Sequence, residues 1–355
     1  MVALDLVNIR QVAKIAGVSK STVSGVLSGR PGFAAATRER ITEIAGSLGY
    51  QVHGAAAALA SGRSRLLGIV PAGTTPFRLT VWDQATLEGF VQTAAENAMQ
   101  TVLLTEITAT GVPRLAARRQ VDGAAFMIQP HPGVLEQLLK QSVPCVAINL
   151  DTSALPPTDV VRPDDASGVE QAVRHLASLG HRRIAYINSY APRIDFHRPS
   201  LETRLAAYVG CMSALRLDAS PGYDVCCAVD ERVAGLLAVE EPPTALLCYS
   251  DDTARRAIGA LADRGLRVPQ DVSVVGIDDL ETPPGYPLSD LTSVYVPFEE
   301  MGARAAKLLC ERLNDPLRPV QHVVLPEHLV VRQTTAAPRT AGVETKFRAE
   351  GAHQA

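Results

Sequence analysis

Several classes of protein are excluded by what this chain of 355 residues lacks. No apolar run approaches the roughly 20 residues of a membrane-spanning helix. The N-terminus has neither the cationic start nor the long apolar core of a secretory signal, so the chain reads as cytoplasmic, with no membrane partner. Its six cysteines, Cys145, Cys211, Cys226, Cys227, Cys248 and Cys310, show no CxxC or Cys/His ligand spacing. Several of them lie in apolar, strand-like runs, which implies buried thiols in a reducing compartment and no metal site. No GxSxG elbow, HExxH helix or phosphate-binding GxxxxGK loop occurs, and the eight histidines are scattered, so no catalytic residue and no cofactor is expected. Aromatics are few, and the single tryptophan, Trp82, is read as core.

Charge, by contrast, is unevenly spread. Residues 1–65 hold eight Lys or Arg against three Asp or Glu, and the remainder holds 26 against 34, giving net +5 beside net −8. A basic end on an acidic body points to nucleic acid at that end. The length suggests two or three compact units.

The basic end carries the chain's most informative stretch, NIRQVAKIAGVSKSTVSGVLSG, from Asn8 to Gly29. Asn8 can cap a helix in a box with Gln11, and Ile9, Val12, Ala13 and Ala16 then share one face. Gly17 suits a left-handed turn, and Ser19 can cap a second helix. On that helix Val23, Val26 and Leu27 point inward, leaving Lys20, Ser21, Thr22, Ser24, Gly25 and Ser28 outward on a small, polar, acid-free surface that fits a DNA major groove. Thr37 to Gly49 supplies a third helix with Ile41, Ile44, Ala45 and Leu48 inward, followed by Tyr50. Ala55 to Ala60 favours helix but is too short to be stable alone, so it would fold on a partner.

From Leu66 the pattern changes to short apolar runs alternating with amphipathic stretches, the signature of βαβ units and parallel sheet. Expected strands are Leu66 to Val70, Thr101 to Leu104, Gly123 to Ile128, Cys145 to Ile148, Arg183 to Ile187, Asp224 to Val229, Ala245 to Tyr249 and Val272 to Ile277. Expected helices are Val91 to Met99, Val134 to Gln141, Gly168 to Leu179, Leu201 to Leu215, Ala254 to Arg264 and Phe298 to Leu313. Breaks near 149–163, 283–297 and 316–326 divide this region into two lobes. Ligands of open α/β sheets sit at the carboxyl ends of strands, which here face one cleft. Asp278, after the strand ending in GID, is a candidate acceptor for ligand hydroxyls or a cation. Ser250 and Asp251 fit a helix cap as well as a ligand contact. Arg204, a lone cation at the start of a helix, calls for a ligand or a carboxylate partner. Asn149 ends a strand.

Taken together, VAKIAGVSKSTVSGVLSG, TRERITEIAGSLGY, the short helix ending in Leu59 and GRS, then HLASLGHRRIAYI, ALLCYSDDTARRAIGALADRGLRVPQDVSVVGIDD and LTSVYVPFEEMGARAAKLL resemble the LacI/GalR family of bacterial transcription regulators over residues 8–333. The resemblance implies a helix-turn-helix headpiece at 1–52, a hinge helix and linker at 53–65, a two-lobe effector-binding and dimerisation core of periplasmic-binding-protein type at 66–333, and a disordered tail at 334–355. It implies DNA contacts at Ser19, Lys20, Ser21, Thr22, Ser24, Gly25, Ser28 and Tyr50, with Ala56 and Leu59 of the hinge in the minor groove. Effector contacts fall at Asn149, Arg204, Ser250 and Asp278, and more loosely at Thr75, Phe77 and Phe196. The expected partners are a pseudo-palindromic double-stranded DNA operator, a small-molecule effector of carbohydrate type and a second copy of the chain; the alternatives are a protein or phosphorylated corepressor in place of the effector, or a solute-binding protein without regulatory DNA binding. Gly25 stands where the family carries a base reader, and Ala34 where it caps the third helix.

Overall fold

A computed structural model describes residues 7–27, 32–50, 63–72, 79–106, 111–188, 199–219, 228–280 and 290–339. Three short helices form the headpiece: α1 (Ile9–Ala16), α2 (Lys20–Leu27) and α3 (Ala35–Ser47). Asn8 caps α1 through the expected box, accepting from the Arg10 and Gln11 amides while the Gln11 side chain accepts from the Asn8 amide. Gly17 turns the chain at φ 61°, where a Cβ would be strained. Val12, Ala13, Ala16, Val23, Val26, Ile41 and Ala45 close a small core of their own. α3 starts at Ala34 with no side-chain cap.

Two six-stranded sheets follow. The first has the order β11-β5-β4-β3-β1-β2, built from β1 (Leu66–Val70), β2 (Gln100–Leu103), β3 (Gly123–Phe126), β4 (Cys145–Ile148), β5 (Asp159–Pro163) and β11 (His322–Leu325). The second has the order β12-β10-β9-β8-β6-β7, built from β6 (Arg183–Ile187), β7 (Asp218–Ala219), β8 (Ala245–Cys248), β9 (Ser273–Asp278), β10 (Thr292–Tyr295) and β12 (His328–Val330). All pairings are parallel except β10 with β12. Central strands are buried on both faces, which is why their sequences are continuous apolar runs rather than alternating ones.

Helices α4 (Val81–Glu96), α5 (Arg114–Ala117), α6 (Pro132–Lys140), α7 (Asp165–Ser178), α8 (Pro199–Ala214), α9 (Val229–Leu237), α10 (Asp251–Ala262) and α11 (Phe298–Asn314) cover the sheets. α4 begins where Thr80 and Asp83 cap it reciprocally, and the buried Asp83 also accepts the Ala72 amide, tying the helix to the end of β1. α4 and α11 cross with no room for a side chain between them. A Cβ on Gly89 would lie 2.0 Å from the Glu299 carbonyl oxygen.

The chain passes between lobes three times. It leaves β5 for α7, which packs on β8, β10 and β12; it leaves β10 for α11, which packs on β3, β4 and β5; and it leaves β11 for β12. The first and third passages run side by side, joined by the Asp164 amide donating to the Leu325 carbonyl at 2.8 Å.

Three expectations change. Val229 opens a helix instead of ending a strand, and residues 224–227 lie outside the described residues. The helix expected at Val91 begins ten residues earlier, because its first turns show apolar residues to α11. Residues 334–339 belong to the second lobe: Thr334 donates to the Val274 carbonyl, and the Ala336 carbonyl faces His181 and Ser273. The expected tail is thus ordered at its start, held by hydrogen bonds that edge β9. No described helix is long and apolar enough to cross a membrane. Cys145, Cys211, Cys248 and Cys310 are buried thiols, and burial pushes the Cys145 thiol up to about 12.

Candidate DNA-binding surface and effector cleft

α2 presents its hydroxyl residues as a linked cluster. Ser19 accepts the Thr22 amide at 3.1 Å, and its Oγ lies 2.6 Å from Ser21 Oγ and 2.9 Å from Thr22 Oγ1. Lys20 and Ser21 are exposed, while Thr22 and Ser24 are half-buried. Such a face offers donors and acceptors to base edges and phosphates with no acid to repel them. Gly25 does not belong to it. It is buried, and a Cβ there would meet the Phe33 ring at 2.7 Å, so this glycine makes room for an aromatic that closes the headpiece. Tyr50 is half-buried against the headpiece core, and its amide donates to the Ala45 carbonyl. Ser28, Ala56 and Leu59 lie outside the described residues.

The cleft is assembled from strand ends and the first passage. Asn149 follows β4 at φ 52°, and its Nδ2 donates to Ser200 Oγ at 3.0 Å. Ser200 donates to Asp165 Oδ2 at 2.8 Å, and Asp165 Oδ1 accepts from Arg204 Nε. Arg204 also donates to the Tyr249 carbonyl at 2.7 Å, stacks over the Tyr249 ring at 5.0 Å, and brings Nη1 to 4.0 Å from Asp278 Oδ1. A continuous polar chain therefore runs from the first lobe at Asn149 to the second at Asp278. Arg204 sits in the second turn of α8, only 3% exposed, where a guanidinium needs a carboxylate beside it. Burial works against its charge; Asp165, Tyr249, Asp278 and Glu327 outweigh that and hold it above the ordinary arginine value.

Carboxyls outnumber cations in this chain. Asp278 takes φ 134°, a conformation L residues rarely adopt, at the end of β9. Strain of this kind collects at ligand sites. Burial pushes its carboxyl up to about 8 in spite of Arg204. Asp251 accepts from Ser293 Oγ at 2.6 Å and from the Asp279 amide at 3.0 Å, and burial raises it to about 6. Ser250 caps α10 by accepting the Thr253 amide at 3.2 Å. The structure thus brings Asn149, Arg204 and Asp278 together, and gives Ser250 a capping bond beside them in sequence to Asp251. Thr75, Phe77 and Phe196 lie outside the described residues. Trp82 packs against the core, 6.2 Å from Phe298.

Sequence reasoning did not single out Asp165, Ser200, Tyr249 or Glu327. Only Asp165 had a signal, since an acid at the start of a helix after Pro163 is a common opening.

The chain is similar to known proteins over most of its length. Residues 8–52 match the model described as "Bacterial regulatory proteins, lacI family", and residues 173–335 match a periplasmic binding protein-like domain. The chain is 29% identical to the HTH-type transcriptional regulator DegA of Bacillus subtilis, over 94% of this chain and 99% of that one. It is 28% identical to the HTH-type transcriptional repressor PurR of Aliivibrio salmonicida, over 87% and 93%. Among solved structures, the lac repressor dimer bound to operator and the anti-inducer ONPF superposes with a TM-score of 0.75 at 26% identity, covering 93% of this chain and 99% of that one. The transcriptional regulator CelR–cellobiose complex does so with a TM-score of 0.63 at 28% identity, covering 92% and 99%. With its helix-turn-helix headpiece, its two-lobe core and these relatives, the chain belongs to the lacI family of bacterial regulatory proteins.

Proposed function

We propose that this protein represses transcription by binding a pseudo-palindromic operator as a homodimer, and that a small polyhydroxylated effector in its cleft controls that binding. The headpiece places α2 in the major groove, where Lys20, Ser21 and the neighbouring hydroxyls of Ser19, Thr22 and Ser24 contact bases and phosphates. Ala56 and Leu59 are the residues we assign to the minor groove, with Leu59 as an apolar wedge. The protein acts in the cytoplasm and carries out no chemical step.

One observation carries the effector reading: hydrogen bonds run from Asn149 through Ser200 and Asp165 to Arg204, whose guanidinium lies 4.0 Å from Asp278, so that polar contacts link the two lobes. A ligand that takes over bonds in this chain has a different free energy in each lobe arrangement, and only such a difference can shift the equilibrium between them. Donors from Arg204 and Asn149 with an acceptor at Asp278 suit vicinal hydroxyls. A relative of known structure holds cellobiose, which is of this class.

The test is a thermal-shift screen of sugars, sugar phosphates and nucleobases, followed by operator selection with and without the hit. A ligand at 100 times its Kd stabilises by about 2.7 kcal/mol. A hit whose shift survives Asp278→Ala places the ligand elsewhere.

A further inference from the structure

Glu327 is a buried acid that makes no hydrogen bond in the cleft chain. It lies in the third passage between the lobes, between β11 and β12. It is 4% exposed, and neither of its carboxylate oxygens has a hydrogen-bond partner among the described residues. An orphaned buried carboxyl costs stability, so its retention calls for an explanation.

Its surroundings are those of a hinge. A Cβ on Gly168 would lie 1.9 Å from Glu327 Oε2 and 2.7 Å from Val294 Cγ1, so the carboxyl is pressed onto the first turns of α7 and beside β10. Its backbone carbonyl accepts from Gln171 Nε2 at 3.1 Å, while Gln171 Oε1 accepts the Leu329 amide, fixing the third passage to α7. The charged groups that act on it are Asp164, the cap of α7, Asp165 in its first turn, Arg204 from α8 and Asp278 from β9; β10 presents Val294. Three acids and one guanidinium, already engaged by Asp165, make an ionised Glu327 costly here. A neutral carboxyl fits; a carboxylate, with no hydrogen-bond partner among the described residues, needs water or a cation beside it.

We propose that Glu327 makes the lobe arrangement of this protein proton-linked, the neutral acid holding the arrangement seen here and the carboxylate driving the hinge toward a more open one. The direction of its titration agrees. Burial first, then Asp165, Asp278 and Asp164, raise it to about 8 against the pull of Arg204. Hinges that absorb a domain rotation are a few residues at element ends, and Glu327 occupies such a position.

The experiment needs no ligand and no operator. Fluorophores are carried on non-natural residues at Lys140 in the first lobe and Arg256 in the second, both exposed, with labelled chain diluted into unlabelled. The interlobe distance is followed by energy transfer from pH 6 to pH 9.5. The expected result is a lengthening with a midpoint near the pKa of about 8 in the full chain, abolished in Glu327→Gln and kept in Asp251→Asn. A flat wild-type profile overturns the proposal. So does a transition that persists in Glu327→Gln, and loss of it in Asp278→Asn but not in Glu327→Gln would assign it to Asp278 instead. Should Glu327→Gln fold poorly, Glu327→Leu, which is neutral at every pH, replaces it with the same flat profile expected.

Discussion

A methyl group on Gly302 would stand 1.8 Å from the carbonyl oxygen of Thr86. The backbones of α4 and α11 touch there, and Gly89 repeats the contact from the other side. Gly302→Ala must push the helices apart at the centre of the first lobe. Overpacking of this kind costs about 1–3 kcal/mol, and the struck atom is backbone, which gives least. Urea unfolding should show a lower midpoint at an unchanged slope, and an unaltered midpoint would remove the crossing from any account of this lobe's stability.

Arg204 is the hub of the cleft. Arg204→Ala leaves Asp165 buried with only Ser200 for company, and losing one partner of a buried ion pair costs about 3–5 kcal/mol. Asp278→Asn keeps the shape and the strained φ of 134° but removes the ionisable carboxyl. The expected outcome is a strongly destabilised Arg204→Ala and a folded Asp278→Asn that no longer responds to the effector. Equal thermal stability of Arg204→Ala and wild type would refute the hub.

The pH dependence of stability follows from Glu327 and Asp278. Both are raised to about 8 from ordinary values of 4.5 and 3.8. The folded state then holds protons that the unfolded chain has released, so stability is full below about pH 4 and declines as pH rises toward 8. Linkage sets the slope at about 1.4 kcal/mol per pH unit for each group that titrates out of step. Asp278 is coupled to the same guanidinium, so the two together should fall short of double that. Thermal unfolding from pH 5 to pH 8.5 should show a falling Tm, with a shallower fall in Glu327→Gln. A Tm rising across that range would contradict both assignments.

Gly25→Arg should lower affinity for every operator variant rather than add a base preference. The position points at Phe33, so a long side chain there must displace the ring and loosen the headpiece. A randomised-operator selection on wild type and variant, with circular dichroism of both, checks this. A new guanine preference at full affinity would show that the side chain reaches the groove after all.

How much was legible in the sequence depended on how local each feature was. β1, β4 and β6 coincide with their apolar runs because central parallel strands are apolar on both faces. The capping box at Asn8 and the turn at Gly17 needed only neighbours within three residues. β5, β10 and β11 were hidden inside proline-bounded breaks and β12 lies just beyond one; the edge strands β11 and β12 have mixed exposure and no period to read, while β5 and β10 are buried runs of only five and four residues beside prolines. In the cleft, Asn149, Arg204 and Asp278 were visible at strand and helix ends. Ser200 and Glu327 were not, because their burial depends on passages brought together from opposite ends of the core. Gly25 misled for the same reason: its partner Phe33 is a loop residue whose ring position no helical wheel contains.

The side-by-side passages have a consequence for synthesis. One edge strand of each sheet, β11 in the first and β12 in the second, comes from the same nine residues, His322 to Val330, and α11, which covers the first sheet, ends only at Asn314. A ribosome has therefore made more than nine-tenths of the chain before either lobe can close its sheet. The headpiece, complete by Tyr50 with its own core, is free to fold at once. A nascent chain of this protein would acquire its DNA-reading surface well before the domain that regulates it.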